Sequence, residues 1–247
     1  ILAQLILTGP PVLPRKVLFW GEGAGEISSY LAGWMAGQGI DVVVLDGANR
    51  FDPYVVSSFA KKASILPESL LKRIRIARAF TCYQMATLVE EKLIALLRQE
   101  EGIIQTHKPW VILLGPITTF LDEDVPERET RPLFERMLRK VEEMAMDRVS
   151  FFLFQPSPPF TKVGTSRNDC RTDTRNRGGS GGFVNSKRAF LERRLFQIST
   201  LVWRIHWEEE GAKLVLEKGV DSVIPACLPC TSTVQGPHLR QKERAGI

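Results

Sequence analysis

Short apolar runs of strand length alternate along this chain with longer segments whose apolar residues recur at helical spacing. That alternation is the pattern of an α/β domain built on a largely parallel sheet. Val17-Leu18-Phe19-Trp20 reads as a buried strand ending in the glycine cluster Gly21, Gly23 and Gly25, with a helix over roughly Glu26 to Gln38. Asp41 to Asp46 is a second strand, followed by a helical stretch opening near Pro53, and Arg73 to Ala77 is a third. Met85, Leu88, Val89, Leu93 and Leu96 define the apolar face of a helix from about Gln84 to Gln99. Trp110 to Leu114 is a central strand by its continuous apolarity, Arg131 to Met146 a helix, and Val149 to Phe154 the next strand. Leu201 to Trp207 and Ala212 to Glu217 predict an antiparallel hairpin that closes the sheet.

Between the last central strand and that hairpin, residues 156 to 186 lose all periodicity, running from Pro156-Ser157-Pro158-Pro159 to Gly178-Gly179-Ser180-Gly181-Gly182. A loop of this length in a compact domain is a functional or disordered segment. It is also where the charge lies. From Thr161 to Arg194 stand nine basic residues (Lys162, Arg167, Arg171, Arg175, Arg177, Lys187, Arg188, Arg193, Arg194) and three acidic ones (Asp169, Asp173, Glu192). That window carries +6 of a net +5, so the rest of the chain carries −1. A solvated surface loop and an anion-binding loop both fit this count.

With 247 residues, 44% hydrophobic and 25% charged, the chain supports one sizeable core over 1–220, with 156–186 as a mobile basic loop and 221–247 as a peripheral tail. A mainly disordered, collagenous or disulfide-scaffold chain is excluded. The run Ile1 to Leu7 is too short to span a bilayer, and four cysteines suit a reducing compartment. The expectation is a soluble intracellular protein, cytoplasmic or associated with the nucleus or nucleoid, with no membrane partner.

A glycine-rich turn between a first strand and a first helix is where backbone N–H groups and the helix dipole converge on a phosphate. The full motif needs a Lys after its last Gly to reach the terminal phosphates, then Ser or Thr to hold magnesium. Here Gly25 is followed by Glu26 and Ile27; Ser28 comes one residue late, and Trp20 stands at the motif's first Gly.

The order of these elements resembles the ATPase core of the RecA and archaeal RadA recombinases, over roughly Arg15 to Val220. Val44-Leu45-Asp46-Gly47-Ala48-Asn49-Arg50-Phe51-Asp52-Pro53 is similar to that family's second-strand segment, and Ile76-Ala77-Arg78-Ala79-Phe80-Thr81 before Tyr83-Gln84-Met85 to the RadA branch. Val111 to Thr118 resembles the magnesium-side strand, and Phe152-Leu153-Phe154-Gln155 the strand whose Gln senses nucleotide and leads into the second DNA-binding loop. The resemblance implies a mainly parallel sheet flanked by helices, nucleotide contacts at Gly21, Gly23, Gly25, Ser28 and Gln155, and DNA contacts from the basic loop.

The departures from the pattern matter more than the matches. Phosphate charge is lost at Glu26, the metal-holding hydroxyl at Ile27, the water-activating carboxylate at Ala48 and the magnesium-side carboxylate at Gly115. Together they remove each group hydrolysis requires. A pseudo-ATPase follows, with no catalytic residue, no metal site and no cofactor, ATP and magnesium entering only if the motif residues are misplaced. The glycines then read as a tight turn without a ligand.

Cys227 and Cys230 have zinc-ligand spacing that only His238 or Cys170 is available to complete, and an ordinary pair of tail cysteines is the plainer account. His107 and His206 have no catalytic partner nearby in sequence, and Asp122, Glu123, Asp124, Glu127 and Glu129 read as solvated loop charge. Three functions are in view. The first is a silent RecA-like protein that binds DNA, single-stranded by preference, through Lys162, Arg167, Arg171, Arg175, Arg177, Lys187 and Arg188, and assists recombination or repair beside an active relative. The second is a partner subunit of an active RecA-like ATPase without its own DNA role. The third is an active DNA-dependent ATPase.

Overall fold

The computed structural model describes residues 16–100, 109–122, 124–156, 181–208 and 211–219. They form an α/β structure around a seven-stranded sheet: β1 (Lys16–Gly21), β2 (Val42–Asp46), β3 (Ile74–Arg78), β4 (Trp110–Leu114), β5 (Phe151–Pro156), β6 (Leu201–Glu208) and β7 (Gly211–Lys218). The spatial order is β3-β2-β4-β5-β1-β6-β7. Every pairing is parallel except β6 with β7, the predicted hairpin.

Helices cover both faces, so the central strands are apolar on both sides and read as continuous hydrophobic runs. Alternate residues of each strand go to opposite layers. Val17, Phe19, Val44, Ile112, Phe152 and Phe154 pack under α1 (Ala24–Gly37), α2 (Pro53–Lys62) and α3 (Pro67–Leu71). Leu18, Leu45, Leu113, Phe151 and Leu153 pack under the other layer. That layer consists of α4 (Cys82–Thr87), a π-helical segment (Leu88–Leu93), α5 (Ile94–Glu100), α6 (Glu127–Met146) and α7 (Gly181–Ile198). Phe19 of β1 stacks on Phe154 of β5 at 4.9 Å between centroids, and Phe120 meets Phe134 of α6 edge to face at 5.0 Å within the second layer.

Local chemistry explains the element boundaries. Asp52 caps α2 by accepting the Tyr54 N–H at 2.8 Å, with Pro53 in the first turn where its missing N–H costs nothing. Thr81 caps α4 by accepting the Gln84 N–H at 3.2 Å. Met85, Val89 and Leu93 are buried as their spacing predicts, and the helix absorbs a π-helical turn between them.

Two boundaries differ from expectation. The α6 helix begins at Glu127, a turn before the predicted Arg131, and carries Pro132 inside it. Thr130 and Leu133 are buried there, and burial outweighs the hydrogen bond that Pro132 forfeits. The second difference concerns the basic loop, predicted to run to residue 186 and to present Lys187 and Arg188. A helix that sequence analysis does not assign, α7, begins at Gly181 instead. Its glycine-rich start disfavours helix, but Leu191, Leu195 and Ile198 are buried in the core and hold it there. The remainder of the loop and the tail 221–247 lie outside the described residues. Among the described residues no helix is long and apolar enough to cross a membrane.

Candidate functional site

In open parallel sheets, ligands sit beyond the carboxyl ends of the strands, where connections leave in opposite directions. Here the chain leaves β1 for α1 on one face and leaves β5 for α7 on the other. Around this point lie Gly21, Gly23, Gly25, Ala48, Gly115 and Gln155, residues distant in sequence that the sheet brings to one edge.

The glycine turn is two residues long, Glu22 and Gly23, between the end of β1 and the start of α1. Gly21 has φ 134°, and a Cβ there would fall on the Ile205 carbonyl oxygen of the adjacent β6. A Cβ at Gly25 would lie 2.8 Å from the Arg50 Cβ. These two glycines are thus required by close backbone crossings inside the fold. Ser28 and Ser29, both fully buried, donate their hydroxyls to the Gly25 carbonyl at 2.7 and 3.0 Å. Ser29 also accepts the Asp52 N–H at 2.9 Å, tying α1 to the start of α2. Ile27 is half-buried against the core, and Glu26 is exposed in the first turn of α1 with Glu22 exposed just before it. Carboxylates there stabilise the positive end of the helix dipole and oppose a phosphate at the same place.

At the end of β2, the buried Asp46 carboxylate accepts N–H groups from Ala48 at 3.1 Å, Arg50 at 3.2 Å and Phe51 at 3.0 Å. Arg78 approaches the same carboxylate at 3.7 Å and donates to the Phe51 carbonyl at 3.3 Å. Asp46 is therefore the organiser of the loop that carries Ala48. Gly115, at φ 65°, donates its N–H to the Phe154 carbonyl at 2.6 Å. A Cβ at Gly115 would lie 2.6 Å from the Ala48 Cβ and 2.7 Å from the Thr118 hydroxyl, so the tips of β2 and β4 close on each other where two carboxylates would be needed. Gln155 accepts the Ile117 N–H at 3.2 Å and donates to the Pro156 carbonyl at 3.0 Å, which pins the turn after β4.

Mg-ATP does not fit this arrangement. The late hydroxyl, Ser28, is buried and committed; Glu22 and Glu26 are the exposed charges of the glycine turn and the first turn of α1; and Asp46 is engaged by three backbone N–H groups and by Arg78. No protein-family model matches the chain, and no curated protein matches it.

Of the proposed DNA contacts, Lys162, Arg167, Arg171, Arg175 and Arg177 lie outside the described residues. The other two are placed. Lys187 is buried, and its ammonium donates to the carbonyls of Asp122 at 2.7 Å and Val125 at 3.1 Å. Arg188 pairs with Glu192 at 2.7 Å one turn along α7. Arg194 likewise donates to both oxygens of Glu135, at 2.5 and 2.7 Å, joining α7 to α6. These bonds hold the Glu135 carboxyl below the usual carboxylate range and raise the Arg194 guanidinium. The window's charge is therefore divided: Lys187 and Arg194 on α7 hold the fold together, while Arg193 is exposed on the same helix.

The acidic run is spent on local structure where it is described. Asp122 accepts the Asp124 N–H at 3.1 Å, Glu127 pairs with Arg131, and Glu129 accepts the Tyr83 hydroxyl at 2.8 Å, which pushes the Tyr83 phenol up. Among the described residues no three His, Cys, Asp or Glu are grouped to hold a metal. His206 is exposed on β6 opposite Lys213. His107, Glu123, Cys170, Cys227, Cys230 and His238 lie outside the described residues.

One surface feature had no sequence signal. At the β3 edge, a cavity of about 380 Å³ is lined by Arg78, Tyr83, Gln84, Thr87, Leu88 and Lys92. The π-helical turn places Leu88 and Lys92 on its wall, and Phe80, two residues beyond β3, is 68% exposed. Residues from β3, α4 and the π segment meet only on folding, and nothing in the sequence marks the aromatic residues among them.

Proposed function

We propose that this chain is a catalytically silent RecA-like protein that binds DNA, single-stranded by preference, and assists an active relative in recombination or repair. The observation that carries the silent part is the closure of the carboxyl edge by the chain's own packing: Gly21 on Ile205, Gly25 on Arg50, Gly115 on Ala48, and Ser28 turned inward. The six parallel strands and the glycine turn after β1 support the RecA-like reading. Support for DNA comes from charge and position. The segment with Lys162, Arg167, Arg171, Arg175 and Arg177 leaves β5 and re-enters at α7, beside Gln155, and guanidinium groups pair bidentately with phosphate oxygens.

The test is titration of a labelled single-stranded oligonucleotide at two salt concentrations, with and without Mg-ATP. If about four phosphates are neutralised, affinity falls with log salt at a slope near −3, and ATP changes nothing. Replacing Arg171, Arg175 and Arg177 with Ala flattens the slope. Absence of binding at low salt, or unchanged affinity in the triple variant, removes the DNA role.

A second reading, a partner subunit without a DNA role, is favoured by the β3 edge. Ile76, Phe80 and Tyr83 are 40%, 68% and 50% exposed and Tyr83 lines the cavity, a surface of the kind that pairs with another protein. Copurification with an active recombinase, lost on Phe80→Glu while the DNA titration stays flat, would put this reading first.

A further inference from the structure

Along the helix that runs from α4 through the π-helical segment into α5, Met85, Val89, Leu93 and Leu97 enter the core, 0, 0, 1 and 8% exposed. Their spacing is four throughout. In an α-helix four residues overshoot one turn by about 40°, so three such steps would carry Leu97 about 120° round from Met85. Leu96 would then face the core in its place, yet Leu96 is only half-buried. The π-helical turn over Leu88–Leu93, whose wider rings close from i to i+5, takes up the difference and keeps all four side chains in one line.

We infer that the stretch between Val89 and Leu93 carries one surplus residue, accommodated as the π turn, and that this turn is a built-in weak point at which the helix opens beside the β3-edge cavity. Removing one residue there changes the spacing from four-four-four to four-three-four, the repeat of an α-helical face. Glu91 is the residue that can be spared, because it is exposed and its carboxylate bonds to no other described residue. Its surroundings are fixed. Glu90 accepts the Arg136 Nε–H at 3.0 and 2.9 Å, which ties the segment to α6, and Val89 and Leu93 are held in the core on either side.

A turn of this kind is rare and concentrates at functional sites. Here it supplies Leu88 and Lys92, two of the six residues that line the cavity, while Tyr83, Gln84 and Thr87 line it from α4. Thr81 caps α4 from the other end. Opening of the turn therefore moves one wall of the cavity against a fixed one, and the width of the cavity follows the local stability of the helix.

Amide hydrogen exchange and thermal melts of the full chain test this, with deletion of Glu91, the substitution Glu91→Ala, and deletion of the exposed Arg139 in the regular helix α6 as a control. In the parent, the amides of Leu93 to Leu97 exchange about tenfold faster than those of Met85 to Val89. Deleting Glu91 abolishes that difference and raises the melting temperature by roughly 2–4 °C, the shift for one regained hydrogen bond in a chain of this size. Glu91→Ala keeps the surplus residue and the parent's exchange pattern. Deleting Arg139 rotates Val141 and Met144 out of the core and lowers the melt sharply. Uniform exchange along the parent helix, a Glu91 deletion that melts as low as the Arg139 deletion, or a Glu91→Ala variant that slows exchange as the deletion does would each overturn the inference.

Discussion

Lys187→Met separates a structural role from a nucleic-acid role at a residue where charge alone points to DNA. The side chain is buried, and its ammonium makes two charge-assisted bonds to the carbonyls that end the segment before α6. Hydrogen bonds to charged groups contribute about 1.5–3 kcal/mol each, and part is recovered when water reaches the freed carbonyls, so a net loss of about 2–3 kcal/mol is expected. Methionine fills nearly the same volume, which keeps the loss electrostatic. For a chain of this size that corresponds to a fall in melting temperature of roughly 4–12 °C. Arg188→Ala, one position along α7, removes only an i,i+4 surface pair worth about 0.3–0.5 kcal/mol and serves as the control. Thermal melts by circular dichroism give the first quantity, and the salt dependence of DNA affinity, measured well below the melt, gives the second. Removing a single phosphate-binding cation reduces the slope on single-stranded DNA by about 0.7, and Lys187→Met is expected to leave the slope unchanged. A melt that matches the parent together with a reduced slope would refute the reasoning and return Lys187 to the DNA surface.

Gly21→Ala places a methyl group on the Ile205 carbonyl and strains a positive φ, so the denaturant midpoint should fall by an amount equivalent to about 2–3 kcal/mol. Glu26→Lys restores the phosphate-binding charge but none of the carboxylates, and phosphate release assays should show no ATP turnover; measurable turnover would contradict the closed-edge argument. Glu135→Gln should cost about 1 kcal/mol at neutral pH. Because Arg194 depresses the Glu135 pKa in the folded state, the ion pair's stabilisation is fully present above the ordinary value of 4.5 and is lost as pH falls through the lower folded value; parent and variant melts should therefore converge in acid.

The strands were legible in the sequence because a sheet buried on both faces leaves no polar residues in them: Val42 to Leu45, Val111 to Leu114 and Phe151 to Phe154 are buried without interruption. The hairpin was legible for a similarly local reason, since Gly211 follows a polar turn between two apolar runs. Helix α7 was not, because its first six residues include two glycines, an asparagine and a serine, and what stabilises the helix is distant: Leu191 and Leu195 enter a core built by α4 and α6, and Lys187 reaches Asp122 across the fold. Charge in the window 161–194 is visible in any residue count, but whether a cation faces solvent or caps a carbonyl depends on what lies within 3 Å of its nitrogen. The closed edge has the same origin. That Glu26, Ile27, Ala48 and Gly115 depart from a phosphate-binding pattern is a property of the sequence; that a side chain at Gly115 would collide with Ala48 is a property of two strand tips 67 residues apart, set side by side only when β2 and β4 pair.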